Sequence, residues 1–578
     1  MKKITVIGVL ISFVFLISVT TSSAIINNQS FFSSSYSDPF EGHILYSPEY
    51  STKTFLINIE EEIVHSWDSN YMQGLPVYLL ENGNLIRGCS KIDNTRFVAG
   101  GFTGRVEMHD WNGNMIWEFD YSTDQYCLHH DIEVLPNGNI LMIAWEYKTA
   151  AEAIAAGKNP NNLHGGQLWP DTIIEVEPTG SSGGTIVWEW HVWDHLIQDY
   201  DVSKENYGVV SDHPELIDIN TGGRQADFNH INSVDYNEEL DQILLSSHNQ
   251  HEIWIIDHST STEEAAGHSG GTYGKGGDLL YRWGNPQIYD AGGTADQQLF
   301  GQHDAQWIES GCPGEGNILI FNNGQGRSDG QYSSIVEIEP PVNNEGGYDF
   351  SSDSSYLPEE PFWIYTADDP ADFYSPKVSG AQRLPNGNTL VCMGDSGVFF
   401  EVTYEKETVW QYQNTYPTMM SNNVFKIHKY GVEYPGLASL FQQPNTPSIP
   451  DGPTSGTAGT EYTYTTSTTD SDGDQVSYWF DWGDGTNSGW LGSYNSGEEI
   501  NSSHIWNSKG SYEIRVKAKD SNGAQSEWSD RLAITMPRGK STNSLFQFIV
   551  EHPVITLAAG GISVFLLFTI WKILHNKK

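Results

Sequence analysis

Positively charged side chains are scarce in this sequence of 578 residues. Only 29 lysine and arginine residues stand against 74 aspartate and glutamate residues, which gives a net charge of −45. No basic stripe is present, and a nucleic-acid-binding protein needs one, so that class of function is excluded. The acidity also repels anionic substrates in general, so a site for an anion must be built locally from a few positive or neutral donors.

Cysteine is scarce as well. The four cysteines, Cys89, Cys127, Cys312 and Cys392, are widely spaced and form no CxxC or zinc-knuckle pattern. In an oxidising compartment one or two disulfides could form, and the sequence does not choose among the three possible pairings.

Apolar runs mark the two ends of the chain. Residues 1–24 have the pattern of a secretory signal peptide, with an uncleaved anchor as the alternative. The apolar run 553–574 is long enough to span a bilayer, and the lysines of the tail 575–578 are expected in the cytoplasm. The sequence therefore predicts a single-pass protein of the cell membrane whose N-terminal domains are extracellular.

Between these ends, short strand-like runs separated by Asn, Gly and Pro turns indicate a mostly β protein. One repeated feature is a turn followed by a strand, as in Leu135-Pro136-Asn137-Gly138-Asn139 and Leu384-Pro385-Asn386-Gly387-Asn388. The other is a strand that ends in an aromatic residue, and it occurs six times: 63–67, 115–119, 186–190, 279–283, 361–365 and 408–412. Six units of about 40–50 residues predict an all-β, six-bladed β-propeller over residues 38–440. A stacked β-sandwich array is the competing architecture.

The repeat fades after Tyr412. Residues 441–457 are rich in Pro, Gly and Ser and are predicted to be a linker. Residues 458–537 contain the run Trp482-Gly483-Asp484-Gly485-Thr486 and resemble the PKD family, which implies an immunoglobulin-like β-sandwich that serves as a spacer or adhesion module. A second linker, 538–552, is expected before the C-terminal transmembrane helix.

Histidines recur at one position of the repeat. His130 and His230 each lie seven residues before an asparagine, Asn137 or Asn237, and His303 occupies the same strand start with a few residues inserted before its turn. Equivalent strand starts in successive blades point to one end of the central channel, so three imidazoles are expected to converge there.

Several chemistries suit such a cluster. The histidines could be ordinary surface residues, they could bind a transition metal, or one could act as a nucleophile while the others donate hydrogen bonds to an oxyanion. His191 and His195, in WEWHVWDHL, form a further pair with i,i+4 spacing, for which metal binding and packing against tryptophan are both open.

At these residues the sequence resembles the arylsulfotransferases, most closely their secreted bacterial and archaeal branch. The match runs over most of residues 40–412 and is densest in DFNHINSVDYNEELDQILLS, GGDLLYRWGNP, GQHDAQWI and SGAQRLPNGNTL. The resemblance implies a six-bladed propeller that moves a sulfuryl group between phenols without a nucleotide donor, a metal or another cofactor.

The resemblance also implies roles for residues. His303 would be the nucleophile that becomes transiently sulfated, and His130, His230 and Asn232 would hold the sulfate oxygens and assist proton transfer. The family has an arginine where this chain has His248, and arginine gives a permanent bidentate charge that histidine does not. Either His248 binds substrate as imidazolium, or Arg327 or Arg224 supplies the cation, or activity is reduced or changed.

The sequence therefore predicts transfer of a sulfuryl group from an aryl sulfate to a phenolic acceptor through a sulfohistidine. Its substrate partners would be small phenolic sulfates and phenols, with no nucleic acid. The alternatives are a non-catalytic surface propeller that binds glycan or protein, and a metal-dependent hydrolase or lyase.

Overall fold

The computed structural model describes residues 38–537 apart from residues 92, 223–224, 349, 351–354, 417–421, 439–442, 471–474 and 522. The predicted signal peptide 1–24, the second linker 538–552, the apolar segment 553–574 and the tail 575–578 lie outside the described residues. Within those residues the protein is all-β, as predicted. No helix in this part of the chain has the length and apolar character needed to cross a membrane.

Six four-stranded antiparallel sheets follow one another between Gly42 and Gly431. In hydrogen-bonded order they are sheet 1 (His428–Gly431, Gly42–Tyr46, Lys53–Ile57, Ile63–Asp68), sheet 2 (Met72–Leu79, Leu85–Ser90, Gly104–His109, Met115–Asp120), sheet 3 (Tyr126–Val134, Ile140–Glu146, Asp171–Pro178, Gly184–His191), sheet 4 (Ile231–Asn237, Gln242–Ser247, Glu252–Asp257, Tyr281–Trp283), sheet 5 (His303–Trp307, Ile318–Asn322, Ser334–Ile338, Trp363–Tyr365) and sheet 6 (Gly380–Arg383, Thr389–Met393, Val398–Val402, Thr408–Gln413). We call the first strand of each sheet in this order its leading strand.

Helices in the described residues are short. The α-helices are Ala150–Ala155, Thr262–Ala265 and Pro435–Ala438, and the 3₁₀ segments are Pro160–Asn162, His164–Gly166, Val192–His195, Val210–Asp212, Pro286–Tyr289 and Pro370–Asp372. Two short strand pairs join Lys148–Thr149 to Gln167–Leu168 and Leu196–Ile197 to Ile217–Asp218.

The repeated turns are built as their sequence predicts. The amide of Gly138 donates to the carbonyl of Leu135, and that of Gly387 donates to Leu384, both at 2.8 Å. Each glycine has a φ near +90°, a region in which a residue with a Cβ is strained. These turns set the register of the hairpins that begin the sheets.

A tryptophan at or near the end of each aromatic unit links neighbouring sheets. In every sheet a tryptophan of the fourth strand donates its indole N–H to a carbonyl between the third and fourth strands of the next sheet. The pairs are Trp67 to Asp110 (3.1 Å), Trp117 to Gly183 (2.9 Å), Trp190 to Gly277 (2.7 Å), Trp283 to Pro358 (2.9 Å), Trp363 to Tyr404 (3.0 Å) and Trp410 to Ile59 (2.9 Å). The last pair joins sheet 6 to sheet 1, so the series returns to its start.

The four cysteines are buried free thiols, so the structure contains none of the possible disulfides among them. Burial raises the pKa of the Cys89 and Cys127 thiols to about 12. They act as small apolar residues of the sheets.

The C-terminal domain consists of a two-stranded sheet (Glu461–Thr466, Ile500–Ile505) and a four-stranded sheet (Asn487–Tyr494, Val476–Asp481, Gly510–Lys519, Leu532–Met536). Trp482 of the PKD motif is buried, and His504 stacks on it at 4.9 Å while contacting Asp484. Part of the predicted linker 441–457 pairs with this domain, because Asp451 bridges to Thr465 and Ser455 to Thr535.

A buried ion pair ties the strand that completes sheet 1 to sheet 6. Lys429 Nζ lies 2.7 Å from Glu401 Oε2, and both side chains are fully buried. Lys429→Ala would leave the Glu401 carboxylate buried without its cation, so we expect a loss of about 3–5 kcal/mol in stability, measured by denaturant unfolding.

The matched control is Lys53→Ala, which removes the partly exposed pair Lys53–Asp68 at 2.6 Å. That change should cost about 1 kcal/mol or less. Equal losses for the two variants would contradict the importance of the buried pair.

Candidate active site

The leading strands of sheets 3, 4 and 5 each contain a bulge near their first residues. Register shifts occur between Leu128 and Ile132, between Ile231 and Val234, and between His303 and Gln306. His130 and Asp304 lie within two of these bulges with φ values of +54° and +50°, and His230, directly before the strand Ile231–Asn237, has a φ of +54°. A bulge with a left-handed residue turns side chains out of the normal alternation of a strand, and such strain is typical of functional sites.

The bulges and the loop after sheet 4's second strand bring four predicted imidazoles together. Ring centroids are 4.5 Å apart for His130 and His230, 5.2 Å for His230 and His248, and 5.4 Å for His248 and His303. His130, His230 and His303 lie at or near the starts of three leading strands, the positions that the repeat alignment gives them, and His248 joins them from the loop after Gln242–Ser247. Their chemical roles stay predictions.

His303 has its tautomer fixed by an asparagine that sequence reasoning missed. Asn323 donates its amide to the carbonyls of Ser375 (2.8 Å) and Val378 (2.9 Å), so its Oδ1 faces His303 Nδ1 at 2.8 Å. Nδ1 of His303 therefore carries the proton, and in the neutral ring the lone pair is on Nε2. Burial lowers the pKa of His303 to about 4, which keeps this ring neutral at physiological pH.

His230 is the member of the cluster that favours the charged form. Its Nδ1 lies 2.5 Å from Asp227 Oδ2, and Asp227 also accepts the indole N–H of Trp145 at 2.9 Å. Burial disfavours the imidazolium, but the attraction and hydrogen bond of the Asp227 carboxylate outweigh it and raise the pKa of His230. Asp227 lies three residues before His230 in DFNH, so the sequence alone could have indicated the contact between these two side chains.

The other two imidazoles are neutral. Burial and repulsion by neighbouring imidazoles hold the pKa values of His130 and His248 well below the usual range. His130 Nδ1 lies 2.8 Å from Nδ1 of His129, and His248 Nδ1 lies 3.0 Å from Asn249 Oδ1. His248 is thus a neutral ring in the free protein, in contrast to the permanent charge of an arginine.

The two remaining predicted site residues have different surroundings. Asn232 is buried and donates its amide to the carbonyl of Gln302 at 2.8 Å, next to His303. Arg327 donates to Ser334 at 3.0 Å, and its guanidinium lies over the rings of Phe300 and Tyr332. Arg224 lies outside the described residues.

A buried lysine joins two of the site strands. Lys426 Nζ lies 2.8 Å from Asp131 and 3.1 Å from Asp304, the residues that follow His130 and His303. These carboxylates raise the pKa of Lys426 although burial opposes its charge. Since two carboxylates already neutralise this ammonium, it positions the strands and is not a free cation for a substrate. No sequence pattern identified Lys426, which lies beyond the last repeat.

Beside the imidazoles lies an apolar surface. Phe425 is buried with its ring 6.1 Å from that of His130 and 6.5 Å from that of His303. It packs with Leu75 and Val378. The arrangement brings together a neutral imidazole (His303), an imidazole whose pKa is raised (His230) and an aromatic contact.

The sequence model of the arylsulfotransferase family matches residues 62–430, and that of the PKD domain matches residues 444–536. The first match spans more than half of the chain, so this protein belongs to the arylsulfotransferase family and carries a C-terminal PKD domain. Membership supports sulfuryl transfer as the general activity.

Two solved structures are similar to parts of the chain. The PKD domain of an M14-like peptidase from Thermoplasmatales archaeon SCGC AB-540-F20 is 48% identical over 16% of this chain and 96% of its own, with a TM-score of 0.16. The BSP domain of a biofilm-associated protein is 9% identical over 86% of this chain and 88% of its own, with a TM-score of 0.13. No curated protein matches the chain.

Gly101 leaves room for the ring of His130. A Cβ added at Gly101 would lie about 1.9 Å from His130 Cε1, whereas one added at Gly113 would meet nothing within 4 Å. The two glycines have similar φ values, +84° and +81°, so alanine brings similar backbone strain to both. Gly101→Ala should therefore destabilise the protein by about 1–3 kcal/mol more than Gly113→Ala, measured by denaturant unfolding. Equal losses would show that the His130 ring is not held against this loop.

Proposed function

We propose that this protein transfers a sulfuryl group from an aryl sulfate ester to a phenolic acceptor through a sulfohistidine at His303. The observation that carries the proposal is the fixed tautomer of His303, whose Nε2 lone pair lies in a cluster of imidazoles. A neutral buried imidazole is a suitable nucleophile for sulfur, since it needs no prior deprotonation.

The proposed reaction has two displacements. In the first, Nε2 of His303 forms a bond to sulfur while the S–O bond to the phenol breaks, and the leaving phenolate takes a proton from a neighbouring imidazolium. In the second, the acceptor hydroxyl attacks sulfur, the N–S bond breaks, and the same imidazole receives the acceptor's proton. The His230 imidazolium, held by Asp227, is our candidate for this acid and base and for stabilising the sulfuryl oxygens.

His130, His248 and Asn232 have supporting roles in this proposal. His130 and His248 flank His230 and would contact the oxygens of the sulfuryl group. A bound anion favours protonation of a nearby imidazole, so His248 could gain a proton on substrate binding and substitute for the family arginine. Asn232 would hold the backbone before His303, and Arg327 would contact the outer part of the substrate.

We infer that the six sheets are the blades of a closed propeller. The tryptophan bonds return from sheet 6 to sheet 1, and the leading strands contact one another in the same order. The leading-strand contacts are Leu79 to Tyr430 (2.9 Å), Tyr78 to Asp131 (2.7 Å), Val234 to Asp131 (3.4 Å), Trp307 to Asp235 (2.6 Å), Ala381 to Asp304 (3.1 Å) and Lys429 to Gln382 (2.7 Å). In a propeller such strands line the central channel, which supports a site at its end.

We also propose an extracellular location at the cell membrane, with the apolar segment 553–574 as the anchor and the PKD domain as the spacer. This proposal rests on the sequence of the two ends.

The central experiment uses 4-nitrophenyl sulfate as donor and phenol as acceptor. We expect nitrophenol release that depends on phenol, ping-pong kinetics, and, without acceptor, a mass increase of one sulfuryl group on the peptide that contains His303. His303→Ala should reduce the rate by at least about 10³-fold, while His213→Ala, a partly exposed histidine elsewhere, should leave it unchanged. Release that survives His303→Ala would refute the nucleophile, and no release with any aryl sulfate would favour a binding protein.

The pH dependence of kcat/KM tests the charge on His230. The reaction needs His303 neutral, which holds above about pH 4, and His230 protonated, which holds below its raised pKa. Activity should therefore fall as pH rises through the pKa of His230. Asp227→Asn removes the attraction that raises this pKa, so the fall should move to lower pH.

The control for this experiment is Asp241→Asn. Asp241 lies 2.7 Å from His258, which is not part of the imidazole cluster. Burial lowers the pKa of His258, but the carboxylates of Glu175 and Asp241 outweigh burial and raise it. That variant should keep the wild-type profile. A profile that Asp227→Asn does not shift would exclude His230 as the titrating group.

A further inference from the structure

A second group of polar side chains lies away from the imidazole cluster, between sheets 3 and 4. It consists of His195, His268 and Asp278, whose possible ligand atoms all lie within 4.8 Å of one another. His195 ends the 3₁₀ segment after sheet 3, and the other two belong to the glycine-rich loop before the fourth strand of sheet 4. His191, the predicted partner of His195, instead lies 3.6 Å from Glu146.

The contacts of His195 place its Nδ1 against the carboxylate of Asp278. His195 is fully buried, and its Nε2 lies 2.8 Å from the carbonyl oxygen of Ala265, which can only accept a hydrogen bond. The proton of a neutral ring is therefore on Nε2, and the lone pair of Nδ1 faces Asp278 Oδ1 at 2.8 Å. Two acceptors at this distance repel each other unless a proton or a metal ion lies between them.

His268 adds a second nitrogen to the same oxygen. Its Nδ1 lies 2.7 Å from Asp278 Oδ1, and most of its side chain is exposed. Without a metal, the Nδ1 atoms of both rings would have to donate hydrogen bonds to the same carboxylate oxygen. A divalent ion removes this requirement, because it binds both nitrogens and the carboxylate at once.

We propose that His195, His268 and Asp278 bind a divalent transition-metal ion, zinc above all. Two imidazoles and one carboxylate suit zinc better than magnesium or calcium, which prefer oxygen ligands alone. At such sites the ligand histidine usually donates its other N–H to a backbone carbonyl or a carboxylate, which fixes the orientation of the ring. Water on the exposed side of His268 completes the coordination.

The role of this ion is structural. Its ligands come from positions 195, 268 and 278, so the metal fastens the glycine-rich loop of sheet 4 onto the segment that leaves sheet 3. The same loop provides the Gly277 carbonyl that accepts the indole N–H of Trp190. The metal thus reinforces the contact between these two sheets, and the inference does not depend on the proposed sulfuryl transfer.

The test titrates the purified full-length chain, stripped of metal by a chelator, with Zn²⁺ and Co²⁺. We expect one tight equivalent per chain, visible absorption from nitrogen- and oxygen-ligated Co²⁺, and a rise of at least about 2 °C in the unfolding midpoint with Zn²⁺. His268→Ala should lose all three effects. Because this side chain is mostly exposed, the variant should fold.

Two control variants locate the ion. His213→Ala removes another exposed histidine paired with a carboxylate, 3.0 Å from Glu215, and should keep the tight equivalent. His248→Ala alters the imidazole cluster and should also keep the tight equivalent of metal. No tight equivalent in the wild-type chain, its retention in His268→Ala, or its loss in His248→Ala would overturn the proposal.

Discussion

The indole N–H of one tryptophan in each sheet, bonded to a carbonyl of the next sheet, is the contact on which the rest of this arrangement depends. A single four-stranded sheet buries only part of its apolar surface, so it needs a neighbour on each face. The tryptophan fills the space between two sheets and its N–H fixes their relative position. Because six such bonds return to the first sheet, the leading strands are directed towards one another, and their first residues meet.

The convergence of the leading strands brings several carboxylates close together, and their repulsion must be offset. The leading strands carry Asp131, Asp304 and Asp235, and the whole chain is strongly acidic. Lys426 compensates two of these carboxylates, and burial raises the pKa of Asp235 to about 7. The imidazoles lie next to this layer, where a compensated lysine exerts little attraction on an anion. A substrate anion therefore depends on donors of the cluster itself.

Much of this could be predicted from the sequence, because it is local. The Asn-Gly turns and terminal aromatics predict the six hairpin units, and the distance from turn to histidine places His130, His230 and His303 at equivalent strand starts. The PKD motif is equally local. What the sequence did not provide are partners from distant segments: Asn323 and Lys426 reach His303 and Asp304 only through the packing of separate strands. The four free cysteines are each buried in a separate part of the fold, three in strands and Cys312 between two strands, which spacing alone cannot predict.

The replacement of the family arginine by His248 is best understood through the distribution of charge in the cluster. Four imidazoles within a few ångströms cannot all be protonated, because each added charge raises the free energy of the next. Asp227 favours the protonated form of His230, and burial together with repulsion from His230 lowers the pKa of His248 and His130. An arginine at position 248 would always be charged, and its charge would favour the neutral form of the neighbouring imidazoles. In the proposed mechanism, His248 would add a second positive charge only when an anion binds, and the attraction of that anion would offset the repulsion among the rings. The proposal therefore couples binding to protonation, whereas a permanent guanidinium would separate them.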